Sequence, residues 1–65
     1  MKVRIRNPQR REVDVQGVKL VDQLLAKLKL NPESLLVLVN GEMVTGDHRL
    51  AEEDTVEIVS AISGG

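Results

Sequence analysis

An α+β fold with a mixed sheet of four to five strands and one main helix is what this 65-residue sequence predicts. Three observations carry that expectation. Short segments near both ends alternate apolar and charged residues with the period of a half-buried strand. A single middle segment repeats its apolar residues at helical spacing. Between them an Asn-Gly pair follows a continuous aliphatic run, which marks a tight hairpin turn.

In Lys2-Val3-Arg4-Ile5-Arg6 every second residue is a cation, so Val3 and Ile5 are expected to point inward. Asn7-Pro8-Gln9-Arg10-Arg11 breaks the alternation, because proline has no N–H for a ladder and Asn-Pro favours a turn. Alternation resumes in Glu12-Val13-Asp14-Val15, which completes a first hairpin, and Gly17 ends it. Val21, Leu24, Leu25 and Leu28 then fall at offsets of 0, 3, 4 and 7, one stripe of a helix expected over residues 19–29. Its N-terminal cap signal is weak. Lys27 and Lys29 suit its negative dipole end, and Asn31-Pro32 stops it.

Leu35-Leu36-Val37-Leu38-Val39 is too short for an independent helix and reads as a buried strand. Asn40-Gly41 turns it into a return strand, Glu42-Met43-Val44. Residues 45–54 are polar and irregular except for Leu50, expected to plug the core from a loop. Thr55-Val56-Glu57-Ile58-Val59 forms the last strand. A hairpin, a crossover helix and further strands in this order make a β-grasp arrangement, in which one helix covers only one sheet face. The other face is left for a partner. Val59, opposite in direction to Val56 and Ile58, is the first candidate there, with Val37 and Val39 as companions. The domain is expected over residues 1–60, followed by a flexible tail over 61–65 that ends in Gly64-Gly65.

Composition narrows the function. With no cysteine and one histidine, a transition-metal site is not expected, and neither is a disulfide. His48 beside Asp47 reads as a loop histidine, because sequence neighbours point in different directions. No nucleophile, base or glycine-rich phosphate loop indicates an enzyme. The core must be wholly aliphatic, since Phe, Trp and Tyr are absent. No apolar run approaches the about 20 residues of a membrane span, and Met1-Lys2-Val3-Arg4 does not open a signal peptide, so a soluble cytoplasmic protein is expected.

The net charge of −1 hides an asymmetry: eight of the nine basic residues precede Leu30, while Arg49 is the only cation after it. On that reading the tail leaves an acidic half, suited to a basic partner. Arg4, Arg6, Arg10 and Arg11 could touch RNA phosphates. A pI near 5.7 and the absence of stacking aromatics argue for a solvated hairpin face instead, and direct nucleic-acid binding is not expected.

Taken together, the basic first strand, the Leu-rich helix, Val39-Asn40-Gly41-Glu42, the acidic Glu52-Glu53-Asp54-Thr55 turn and Ala61-Ile62-Ser63-Gly64-Gly65 resemble the ubiquitin-like sulfur carrier proteins of the ThiS and MoaD type. The resemblance spans the whole chain. It implies that a ubiquitin-activating-like adenylyltransferase uses ATP and Mg to adenylate the Gly65 carboxylate, and that sulfur from a persulfide converts it to a thiocarboxylate. The chain itself would bind no cofactor. Chemistry independent of the family agrees, since a carboxylate becomes electrophilic only when joined to a good leaving group, and Gly64 and Gly65 offer no side chain to jam a narrow channel. Ile62 and Ala61 are expected to be gripped by the partner, and Ser63 belongs to the same tail; Ile62 could equally complete the last strand.

The length fits thiamine-type carriers better than the longer, aromatic-containing small subunit of molybdopterin synthase. The ending Ser60-Ala61-Ile62-Ser63-Gly64-Gly65 is most similar to carriers for 2-thiouridine in tRNA. The expected acceptor is therefore a tRNA thiolase, then a thiazole synthase, then the molybdopterin pathway. Attachment to target-protein lysines and a plain interaction module with an inert tail stand as alternatives.

Overall fold

The structure, a computed structural model, describes residues 1–6 and 10–61. Five strands, β1 (Lys2–Ile5), β2 (Arg11–Asp14), β3 (Leu35–Val39), β4 (Glu42–Val44) and β5 (Thr55–Ser60), form one sheet in the order β2-β1-β5-β3-β4. One helix, α1 (Val21–Lys27), packs on one face, as a β-grasp arrangement requires. The last strand is thus the middle of the sheet. It runs parallel to β1, with Val3 opposite Val56 and Ile5 opposite Ile58, and antiparallel to β3, with Val37 opposite Ile58.

Register decides the two faces, because directly opposed residues point the same way. Val3, Ile5, Val37, Val39, Val56 and Ile58 all face α1, whose Val21, Leu24 and Leu25 complete the buried core with Val15. Leu50 packs against it from the loop, as expected. The core is wholly aliphatic, so its fit rests on branched side chains interdigitating without a ring to fill gaps.

The helix is shorter than residues 19–29. Leu20 is held in an isolated antiparallel bridge with Arg49, and Lys29 adopts a positive φ of 58° that ends the helical run. The weak N-terminal signal has a physical remedy in Gln23, whose Oε1 accepts from the Lys19 N–H at 2.8 Å and the Leu20 N–H at 3.2 Å. At the other end Lys27 Nζ donates to the Gln16 carbonyl at 2.9 Å. Asn31-Pro32 does more than stop α1: Asn31 Oδ1 accepts the Glu33 N–H at 3.0 Å and caps a 3-10 turn, Pro32–Ser34, that delivers the chain to β3. Asn40 and Gly41 take positive φ of 52° and 87°, the geometry the Asn-Gly turn calls for. Asn7, Pro8 and Gln9, within the expected first turn, lie outside the described residues.

Candidate functional site

Two surfaces are the candidates: the sheet face away from α1, and the end of the sheet at which β5 finishes. The open face is built by the alternate residues of each strand. On β3 these are Leu36 and Leu38, on β5 Glu57 and Val59, on β4 Met43, and on β1 Lys2 and Arg4. Leu36 lies opposite Val59, and Leu38 lies between Glu57 and Met43. Leu36, Leu38 and Val59 are half-buried, and Met43, 65% exposed, is the one large hydrophobic side chain exposed among the described residues.

Val59 therefore sits where the sequence places it. Val37 and Val39 do not: each is only 5% exposed and faces the helix. The reason is the pleat. A continuous aliphatic run carries no polar residue to mark its outer side, and pairing with Ile58 and Val56 turns Val37 and Val39 inward, leaving Leu36 and Leu38 outside. Ala61 is exposed, and its N–H donates to the Ser34 carbonyl at 2.9 Å, which ties the start of the tail to the 3-10 turn. Ile62, Ser63, Gly64 and Gly65 lie outside the described residues.

Beside the apolar strip the open face is ionic. Arg6 Nε lies 2.5 Å from Glu57 Oε2, Arg4 Nε 3.4 Å from Glu12 Oε2, and Lys2 Nζ 3.7 Å from Glu12 Oε1. These pairs are largely exposed and each contributes at most about 1 kcal/mol. Their value is positional: Arg6 reaches Glu57 of β5, whereas Lys2 and Arg4 both reach Glu12 of β2, on the other side of β1.

The parallel pairing of β1 with β5 also settles where the tail leaves. The C-terminal ends of both strands lie at one end of the sheet, so Ser60 and Ala61 emerge beside Arg6, whose N–H donates to the Ile58 carbonyl at 2.9 Å. Arg11, opposite Ile5, is at that end too. The acidic turn is at the other end, where Asp54 bonds to Asn40. An exit from acidic surroundings, suggested by counting charges along the chain, is thus corrected: spatially the tail leaves from the basic end.

Two carboxyl groups are held below their ordinary value near 3.8. Asp54 is lowered chiefly by the Ala51 N–H it accepts and next by the Asn40 carboxamide. Asp47 is lowered chiefly by the Thr45 hydroxyl. Both act in loop structure. His48 is exposed, and among the described residues no group of His, Asp and Glu is arranged to hold a metal. No helix among them is long and apolar enough to cross a membrane.

Comparison with known proteins gives two concordant findings. The model of the ThiS family matches residues 2–65. The chain is also 43% identical to the sulfur carrier protein TtuB of Thermus thermophilus, over 65 residues that cover all of both chains.

Proposed function

The chain belongs to the ThiS family, and from that premise we propose that it carries sulfur on the carboxylate of Gly65 for the 2-thiolation of tRNA. It is a cosubstrate of sulfur-transfer enzymes and not a catalyst. The observation that carries this reading is the end-to-end match with a sulfur carrier, which extends over the whole chain including Gly64 and Gly65.

In this reading an activating enzyme joins the carboxylate to AMP at the expense of ATP, with Mg supplied at its own site. The terminal sulfur of an enzyme persulfide then displaces AMP to give an acyl disulfide, and a second enzyme thiol cleaves its S–S bond, releasing the thiocarboxylate and leaving an enzyme disulfide. Gly64 and Ser63 pass through the enzyme's channel, and Ile62 and Ala61 are held at its mouth. Leu36, Leu38, Met43 and Val59 form the apolar face on which the domain docks, replacing Val37 and Val39 in that role.

Intact mass after incubation with the activating enzyme, ATP and a sulfur donor is expected to show one carboxyl oxygen exchanged for sulfur. Deletion of Gly65 is expected to abolish that exchange with the fold unchanged. An inert interaction module would keep its function without Gly65, and that outcome would overturn the carrier reading.

A further inference from the structure

The cations at the tail-exit end are more concentrated than the net charge suggests. Arg4, Ile5, Arg6, Arg10, Arg11 and Glu12 line an open cleft of about 360 Å³ at the end of the β1–β2 pair. Arg4 is paired with Glu12, and Arg6 with Glu57. Arg10 and Arg11 are exposed and have no carboxylate partner among the described residues. Four guanidinium groups thus face two carboxylates, and the excess positive charge stands where β5 hands over to the tail.

Chain length turns that position into a constraint. Ser60 and Gly65 are five residues apart, and five extended residues span at most about 18 Å. Whatever atom receives sulfur from Gly65 must come within that reach of the basic end. In the carrier reading, on which this inference rests, the acceptor enzyme holds the RNA whose base is to receive the sulfur. That base is flanked by its own backbone phosphates, and a tail this short seats the basic end of the domain close to the enzyme-bound RNA when sulfur is delivered.

We propose that Arg6, Arg10 and Arg11, with Arg4 behind them, form a contact for the phosphate backbone of the RNA that accepts the sulfur. Guanidinium forks suit phosphate oxygens, and a contact limited to the backbone needs neither stacking aromatics nor a basic protein overall. It is a weak steering site without sequence preference. The acidic Asp54 turn at the opposite end disfavours the reversed approach.

The test separates two steps with the full chain. Thiocarboxylate formation is followed by intact mass, and sulfur delivery is followed by 2-thiouridine formed on a tRNA transcript by the acceptor enzyme from purified thiocarboxylated carrier. The variant Arg10→Gln/Arg11→Gln is compared with Lys19→Gln/Lys29→Gln, which removes the same charge away from both the open face and the tail exit. The Arg10/Arg11 variant is expected to be thiocarboxylated at the wild-type rate while kcat/KM for tRNA falls about tenfold at low salt. The slope of log(kcat/KM) against log[salt] should become shallower by about 2, one unit per lost phosphate contact. The Lys19/Lys29 variant should match wild type in both steps.

Equal delivery by all three proteins would overturn the proposal and leave the arginines as a solvated face. Loss confined to thiocarboxylation would also overturn it, assigning the cluster to an acidic surface of the activating enzyme. Failure of the wild-type chain to become thiocarboxylated would instead refute the carrier reading itself.

Discussion

Asn40 ties the β3–β4 turn to the start of β5 through Asp54: its Nδ2 donates to Asp54 Oδ1 at 2.9 Å, while its own Oδ1 accepts the Thr55 N–H at 3.0 Å. One residue thereby shapes a turn, at φ 52°, and sets the entry of the central strand. Asn40→Ala removes both bonds and places a residue poorly suited to positive φ. A loss of about 1–3 kcal/mol is expected. Urea unfolding should show it as a lower midpoint at unchanged m-value, with thiocarboxylation of the folded protein unaffected.

The same clamp predicts an acid limb. Asp54 has its carboxyl lowered by the Ala51 N–H and then by Asn40, so its folded value lies below its unfolded one. The stability it contributes is complete above the unfolded pKa, near 3.9, and is lost as pH falls through the folded pKa. Asp47 contributes in the same direction. Urea midpoints are expected to hold from pH 7 to about 5 and to decline below about 4. Asp54→Asn should lower the midpoint at neutral pH and flatten that decline; a variant keeping the full decline would assign it to other carboxylates.

The two faces of the sheet should respond oppositely to a charge. Val37→Asp puts an unpaired carboxylate in the core at a site only 5% exposed, and loss of folding is expected, visible as a collapsed amide spectrum. Val59→Asp on the open face should leave the fold intact while raising the KM for the activating enzyme about tenfold or more. A Val59→Asp protein activated normally would remove this face from the docking surface.

Leu24, fully buried, is the point at which the helix holds the sheet. Leu24→Ala is expected to cost about 2–5 kcal/mol, against about 3–10 kcal/mol for a fold of this size. Thermal unfolding should therefore begin near ambient temperature. Because no aromatic side chain borders the site, neighbouring branched residues have little freedom to fill the cavity.

What the sequence made legible was what period and turn chemistry encode. Alternation gave Val3 and Ile5 their inward direction, and Asn40-Gly41 located the β3–β4 turn. Where those signals were silent the reading failed. In Leu35–Val39 all five residues are aliphatic, so the sequence holds no mark of the outward face, and only the register with β5 separates Val37 from Leu38. Helix ends were overrun because Leu20 and Lys29 are set by a bridge and a positive φ, neither visible as periodicity. Gln23 was the recoverable signal, a residue at the third helical position able to reach back to two free amides. The charge at the tail exit was misread for another reason. Only the parallel pairing of first and last strands brings residues so distant in sequence to one end of the molecule.

That pairing also has a mechanical meaning. The N-terminus and the tail leave β1 and β5 at opposite ends, so a pull on the tail against the rest of the domain loads the ladder between them in shear, all its bonds at once. β3 grips the other edge of β5, and the Asn40 N–H to Thr55 carbonyl bond at 2.8 Å and the Ala61 N–H to Ser34 carbonyl bond at 2.9 Å fasten its two ends. A pull on the end of β5 is thus met along the strongest direction of the sheet, with both neighbouring strands resisting it together.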